Sequence, residues 1–124
     1  MKKQVVCQQA PVPIGPYSQA IISGSTVYVC GQIPLDPATG RQPETIAEQT
    51  RQSLTNLKNI LEAAGSSLDR VLRVGVFMVD LAEFKDFNEV YATFFTGVCP
   101  ARTTVQVSAL PLGARIEIEA VAEI

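Results

Sequence analysis

Two ionisable residues near the C-terminal end of the chain, an arginine and a glutamate, are the best candidates for chemistry. Arg102 follows Pro100-Ala101 at the start of ARTTVQV, a run that alternates like a strand. A guanidinium keeps its charge inside a protein and therefore needs water or an acceptor. Arg102 either forms a salt bridge at the rim of the protein or binds an anion. A carboxylate would fit it best, through two parallel hydrogen bonds.

The candidate acid is Glu117, in the segment RIEIEA at residues 115–120. In a strand, Glu117 and Glu119 would lie on one face while Ile116 and Ile118 point to the other. Two solvated acids on an outward face would account for this pattern. A glutamate in a covered cleft would instead have a raised pKa and could act as a general acid or base.

Two glycine-containing segments could complete such a site. IGPYSQA, residues 14–20, turns at Gly-Pro and presents Tyr17 as a strand begins, although a turn with a packed tyrosine is the simpler interpretation. CGQIP, residues 30–34, places Gly31 near the end of a strand. A glycine there either allows the backbone to approach a ligand closely or marks a bulge.

The composition excludes several kinds of chemistry. The chain contains no histidine, which removes Ser-His and Cys-His pairs and imidazole metal ligands. Cys7, Cys30 and Cys99 are widely spaced and form no CxxC, so neither a disulfide framework nor a metal site is predicted. The net charge is −2 and no Lys/Arg cluster is present, so we expect no nucleic-acid partner.

The chain also lacks the marks of a membrane or secreted protein. Its longest apolar runs are far short of the roughly 20 residues that a membrane span needs, and its first residues contain no signal-peptide-like stretch. A cytoplasmic location is the expectation. With 124 residues, 47% of them hydrophobic and 18% charged, the chain predicts a single globular domain over residues 1–124.

The elements that must position the candidate residues follow from periodicity. Apolar residues recur at steps of three and four over 45–64, with a capping box at Thr45 and Glu48 and a terminating Gly65, which predicts a helix. An aromatic stripe from Phe84 to Phe95 predicts a second helix. Strands are predicted at two places within 17–33 and at 68–79, 102–108 and 115–122.

This order contains too few helices for a doubly wound sheet and predicts an α+β fold, with a mixed, mainly antiparallel sheet and two helices on one face. The strand at 68–79 is apolar on both faces and should be central and covered. The strands carry more apolar positions than two helices should cover. These positions are Val27, Val29, Val105, Val107, Ile116 and Ile118. An uncovered apolar sheet face usually has a partner, so we expect a homo-oligomer.

Four segments together resemble the signature blocks of the reactive intermediate deaminase A family (RidA, also called YjgF). They are IGPYSQA, GQIP, PARTTVQV and RIEIEA, in that family's order and spacing, and the resemblance covers essentially the whole chain. It implies a chorismate-mutase-like α+β fold and a homotrimer with three clefts between subunits. It also implies a reaction that needs no metal or cofactor.

The resemblance implies an activity as well. Proteins of this family hydrolyse small enamine or imine acids, such as 2-aminoacrylate and 2-aminocrotonate, to 2-keto acids and ammonia. These substrates escape from pyridoxal-phosphate-dependent serine and threonine dehydratases. By the same resemblance, Arg102 would bind the substrate carboxylate and Glu117 would hold or activate the attacking water.

Further contacts are implied in the same way. Tyr17 would line the pocket from a neighbouring subunit, Gly31 would offer backbone hydrogen bonds to the ligand, and Asn88 would belong to the cleft. Many relatives have Ser in place of Cys30, and many bacterial ones have Cys in place of Thr104. Thr104 would lie beside the substrate and tune the substrate range, and it excludes a nucleophilic cysteine there.

Three functions remain open from the sequence. The first is a 2-iminobutanoate/2-iminopropanoate deaminase. The second is a non-catalytic trimer that binds 2-keto acids or other small carboxylates for sensing or protection; it needs Arg102 but not Glu117. The third is a ribonuclease or translation inhibitor, for which an acidic chain with 10 Lys and Arg residues has the wrong charge.

Overall fold

One six-stranded sheet with two α-helices makes up the protein, which we describe from a computed structural model of residues 1–124. The strands follow the order β1-β2-β3-β6-β4-β5 across the sheet. Their bounds, with those of the helices, are β1 Lys3–Val5, β2 Ala20–Ser23, β3 Thr26–Gln32, α1 Ile46–Ala63, β4 Val71–Met78, α2 Phe84–Phe94, β5 Ala101–Gln106 and β6 Ile116–Glu123. Neither helix is long and apolar enough to cross a membrane.

The sheet is antiparallel except between β4 and β5, which run parallel. A parallel pair requires the chain to cross over the sheet, and α2 makes this crossover. Helix α2 packs against α1, so both helices cover the same face of the sheet. The predicted α+β fold, with a mixed and mainly antiparallel sheet, is confirmed.

Local signals set both ends of α1. The Thr45 hydroxyl accepts a hydrogen bond from the Glu48 backbone N–H at 3.1 Å, which caps the first turn. Gly65 has a φ of +84°, and the Ser66 N–H then donates to the Leu61 carbonyl oxygen at 2.9 Å to close the last turn. The predicted helix is confirmed with each end shifted by one residue.

The core lies between the helices and the facing side of the sheet. Helix α1 has 18 residues, about 27 Å, and packs across both β3 and β6. As a result Val27, Val29, Ile116 and Ile118 are at most 5% exposed. The prediction that the helices cannot cover these four positions is wrong, because one long helix spans the two neighbouring strands that carry them.

The opposite face of the sheet, which we call the open face, carries a different set of side chains. Strand register places Tyr28, Phe77, Val105 and Val121 on it, together with the two glutamates of β6. Tyr28 is 51% exposed and Val105 39% exposed. The expected oligomer contact would therefore use these residues, which include Val105 of the predicted set. Val107 of that set lies just beyond the end of β5 and is partly buried.

Strand β4 is central but is covered only in part. Residues 68–70 form a short 3₁₀ turn, so the strand begins at Val71, and a bulge interrupts its pairing between Val71 and Arg73. Leu72 and Arg73 are exposed, whereas Val74 to Val76 are buried. The prediction of a strand covered on both faces is wrong at Leu72 and Arg73. The apolar composition of 68–79 does not reveal which positions of the strand face solvent.

Buried amide side chains fasten the long loops to this core. Asn56 on α1 has no exposed surface, and its Nδ2 donates to the carbonyl oxygens of Ile33 and Leu35 at 3.2 and 2.9 Å. These bonds hold the loop that leaves β3. Gln19 and Gln49 fasten the N-terminal segment and the entry to β6 in the same way.

Replacing Asn56 with alanine should lower the free energy of unfolding by about 1–3 kcal/mol, because two loop carbonyls lose their donor in a dry setting. The change can be measured by urea denaturation. Asn59→Ala is the matched control: it lies one turn further along α1 and loses a single exposed bond to the Gln9 carbonyl. Equal losses in the two variants would contradict this role of Asn56.

Candidate functional site

Arg102 lies against the aromatic face of α2. Its guanidinium carbon is 4.7 Å from the ring centre of Tyr91, 5.2 Å from that of Phe87 and 5.5 Å from that of Phe84. One nitrogen, Nη1, donates to Asn88 Oδ1 at 2.8 Å. Cation–π contacts and a neutral hydrogen bond therefore fix the guanidinium without neutralising its charge.

No carboxylate of the chain pairs with Arg102. The ion pairs are Arg51–Glu48, Lys58–Glu62 and Arg115–Glu83. The interpretation of Arg102 as one half of a rim salt bridge is therefore wrong. Its free N–H groups border an open pocket of about 510 Å³, which offers an anion both positive charge and oriented donors.

Thr104 shares this environment. It pairs with Val76 of β4 just as Arg102 pairs with Val74, so both side chains lie on the helix-covered side of β5. The Thr104 Oγ1 atom is buried and has no hydrogen-bond partner. The structure thus brings Asn88 and Arg102 together and places Thr104 on the same side of β5, two residues further along and outside the lining of the pocket.

The other predicted residues meet on the open face. A second pocket, of about 420 Å³, includes Tyr17, Gly31 and Glu117 in its lining. Cys30 and Leu112 also border it. Leu112 has a φ of +55°, a left-handed conformation that costs a branched residue energy and often occurs beside functional sites.

Gly31 leaves room for the Glu117 carboxyl group. A Cβ atom at position 31 would lie 2.6 Å from Glu117 Cδ and 2.9 Å from Oε1, which is closer than real Cβ contacts come. The pairing of β3 with β6 also shifts between Val29 and Gln32. The bulge interpretation of Gly31 therefore holds, and the space that a side chain at position 31 would fill is taken by the glutamate of its own chain.

The surroundings of Glu117 favour its protonated form. Burial, and secondly the negative charge of Glu119, raise the pKa of Glu117 above its ordinary value. Burial likewise raises the pKa of the neighbouring Cys30 thiol. The pocket is therefore suited to a carboxyl group that takes up and gives back a proton, and unsuited to a thiolate.

The raised pKa of Glu117 predicts a pH-dependent stability. The folded state holds this proton more tightly than the unfolded chain, so the free energy of unfolding should fall as pH rises from the ordinary to the raised pKa. Above that interval Glu117→Gln should be more stable than wild type, and below it the difference should vanish. Urea denaturation at intervals from about pH 3 to about pH 9 tests this. Glu89→Gln, on the exposed side of α2, should retain the wild-type slope.

The two pockets lie on opposite faces of the sheet and share no lining residue. Glu117 pairs with Phe77 of β4, which pairs with Val105 of β5, so two strand spacings, about 10 Å, separate Glu117 from β5. Arg102 lies three residues further along that strand. A small acid cannot touch both residues within one chain, so the predicted site is present as two separate halves.

Sequence reasoning missed the aromatic residues that surround Arg102. The periodicity assigns Phe84, Phe87 and Tyr91 only to the apolar stripe of a helix. Their spacing of three and four places them with Asn88 on one face of α2. A polar residue at 88 inside an apolar stripe is the signal that this face meets something charged.

The fold and the site define a class of protein: a small α+β protein with an arginine pocket on one face of the sheet and a carboxyl pocket on the other. The family model of endoribonuclease L-PSP matches residues 7–124. The chain belongs to this family, which includes the RidA/YjgF proteins. The resemblance predicted from four sequence segments is therefore confirmed.

Relatives named as deaminases are similar over nearly the full chain. Rat 2-iminobutanoate/2-iminopropanoate deaminase is 46% identical over 123 residues, covering 98% of this chain and 90% of the rat protein. A RutC family protein of Pyrococcus horikoshii is 51% identical over 123 residues, 98% of each chain. The crystal structure of E. coli TdcF with bound serine has a TM-score of 0.96 at 43% identity and covers 98% of each chain.

Proposed function

We propose that this protein is a 2-iminobutanoate/2-iminopropanoate deaminase, a homotrimer in which each active site combines pockets of two subunits. It would hydrolyse a small imine acid to a 2-keto acid and ammonia. One observation carries the proposal: aromatic rings and Asn88 hold the Arg102 guanidinium in place, and no carboxylate of the chain pairs with it. That group is a fixed, permanent cation bordering a pocket of suitable size, and a carboxylate is its natural partner.

The substrate class follows from the two halves of the site. Arg102 would bind the carboxylate, with Asn88 fixing the guanidinium and Thr104 lying beside the ligand. The rat relative named as a deaminase supports an imine acid as the substrate. The serine bound to E. coli TdcF in its crystal structure is also a small carboxylic acid, which is consistent with this size.

Glu117 would supply the proton transfers. Water adds to the imine carbon while one of its protons passes through the carboxylate to the imine nitrogen. The remaining hydroxyl proton then follows the same route to that nitrogen as the C–N bond breaks, the carbonyl forms and ammonia departs. A carboxyl group with a raised pKa is better suited to both transfers than an ordinary glutamate, because it holds a proton more readily. The imine is already electrophilic, so the protein needs chiefly to hold it by the carboxylate and to place the water.

The separation of the pockets supports an oligomer with shared sites, and the resemblance to RidA proteins supports a trimer. A neighbouring subunit could set its Glu117 pocket, with Tyr17 and the Gly31 backbone, against the Arg102 pocket. The partly exposed Tyr28 and Val105 of the open face would be covered in such an assembly. We expect the protein to act in the cytoplasm, beside the dehydratases that release its substrate.

RNA is the less suitable ligand although the family carries the name of an endoribonuclease. The chain has a net charge of −2. Arg102 is the only basic residue in the lining of its pocket, and the Glu117 pocket has none. Nucleic-acid binding generally relies on several Lys and Arg contacts to phosphates.

A coupled assay tests the function directly. Threonine dehydratase generates 2-iminobutanoate in situ, and release of 2-oxobutanoate is followed at early times with and without the protein. Acceleration by wild type and none by Glu117→Gln would support the deaminase. Binding of 2-oxobutanoate by both proteins with no acceleration by either would instead support a non-catalytic carboxylate-binding trimer.

A further inference from the structure

We propose that the hydroxyl group of Tyr91 is a further substrate-binding group, which donates a hydrogen bond to the carboxylate held by Arg102. The inference rests on the proposed function and extends it to a residue that the four sequence segments do not contain. It would give the ligand a neutral donor beside the charged one.

The starting observation is a buried hydroxyl without a partner. Tyr91 is 7% exposed, and its OH group forms no hydrogen bond within the chain. Buried tyrosine hydroxyls normally have a partner, because leaving one unpaired in a dry environment is costly. Tyr91 also lines the pocket that Arg102 borders, so an unpaired polar group is held where a ligand would bind.

The ring of Tyr91 is held in place by its neighbours. Its centre is 5.3 Å from that of Phe87 and 4.7 Å from that of Phe95, and the Arg102 guanidinium lies 4.7 Å from it. A ring packed on these sides cannot swing away to find another partner. The hydroxyl therefore stays in the pocket whether or not a ligand is bound.

The polar groups nearby explain why the missing partner must be an acceptor. Arg102 carries only donors, and the Oδ1 atom of Asn88 already accepts from Arg102. The Tyr91 hydroxyl hydrogen is therefore left without an acceptor in the pocket. A carboxylate is the simplest group that satisfies this hydrogen and the free guanidinium donors together.

The protonation state agrees with a donor role. Burial raises the pKa of Tyr91, and the Arg102 charge opposes this only in part. The hydroxyl therefore keeps its proton throughout the neutral range. A permanent neutral donor should add affinity without adding a pH dependence to binding.

Tyr91→Phe is the appropriate variant because it keeps the ring beneath the guanidinium and removes only the hydroxyl. We expect the dissociation constant for 2-oxobutanoate to rise by about tenfold, the usual effect of losing a hydrogen bond to a charged group. The KM for the imine acid should rise similarly with little change in kcat, since the bond forms equally in ground and transition states. Without ligand, the variant should unfold at the wild-type temperature or above it, because no bond is lost.

Calorimetric titration with 2-oxobutanoate, the coupled assay and thermal unfolding provide these readouts. Thr93→Val is the matched control, since it also removes one hydroxyl from α2 while Thr93 is exposed and lines neither pocket. If Tyr91→Phe binds 2-oxobutanoate as tightly as wild type, the inference is overturned. The proposed function would still stand in that case, provided that wild type is active. Wild type that neither binds nor accelerates would overturn both.

A spectroscopic measurement on wild type covers the case of a variant that fails to fold. With tyrosine labelled by ¹³C at Cζ, addition of 2-oxobutanoate should shift the Tyr91 resonance and leave that of Tyr28 in place. An unmoved Tyr91 signal at saturating 2-oxobutanoate would also overturn the inference.

Discussion

Arg102→Ala is expected to lower kcat/KM for the imine acid by at least about 30-fold. Removing one member of a desolvated, hydrogen-bonded charge pair typically costs about 2–5 kcal/mol, and each 1.4 kcal/mol is about a factor of ten. In the proposed reaction the carboxylate anchors the substrate before and during the chemical step, so binding of 2-oxobutanoate should weaken in parallel. The coupled dehydratase assay and calorimetric titration measure the two effects.

Two variants make the result interpretable. Arg51→Ala removes an exposed arginine on α1 whose only ion pair, with Glu48 at 3.8 Å, is solvent-exposed, and it should leave kcat/KM unchanged. Arg102→Lys keeps the positive charge but not the planar fork, and should restore only a small part of the activity. Activity of Arg102→Ala within about threefold of wild type would show that the carboxylate is bound elsewhere.

Mixing two inactive variants is expected to restore activity. Under the proposed shared site, Arg102→Ala subunits still contribute an intact Glu117 pocket, and Glu117→Gln subunits still contribute an intact Arg102 pocket. In trimers assembled at random from an equal mixture, half of the Arg102 pockets and half of the Glu117 pockets are intact. About a quarter of the sites should then combine two intact halves and work at the wild-type rate.

The experiment requires subunit exchange, by unfolding the two variants together and refolding them, followed by the coupled assay. Each variant refolded alone should remain inactive. The double variant Arg102→Ala/Glu117→Gln, mixed with either single variant, should also give no active sites. Failure to recover activity in mixed trimers would contradict a site shared between subunits.

Much of the fold can be predicted because its signals are local. The capping residues and the Gly65 turn define α1, and alternation in β6 assigns Glu117 and Ile116 to opposite faces. Alternation does not say which of the two faces the helices cover. That depends on the path of α2 between the parallel strands β4 and β5, which is set by contacts far apart in sequence.

The same limit applies to the site. The arginine, the glutamate and their flanking glycine segment stand out in the sequence because charges and glycines are unusual in strands. The aromatic surroundings of Arg102 do not, because Phe84, Phe87 and Tyr91 also satisfy the ordinary pattern of a buried helix face. Only the packing of α2 over β5 reveals that these rings meet a cation.

The placement of the two pockets on opposite sides of one sheet has a consequence for how activity depends on concentration. Under the proposed shared site, a folded but isolated chain would contain every group required for the reaction and still be inert. Specific activity per chain should therefore decline on dilution below the dissociation constant of the assembly, although the secondary structure persists. For such a protein, association of identical subunits would activate the enzyme. Total activity would then rise more steeply than in proportion to the concentration of the chain.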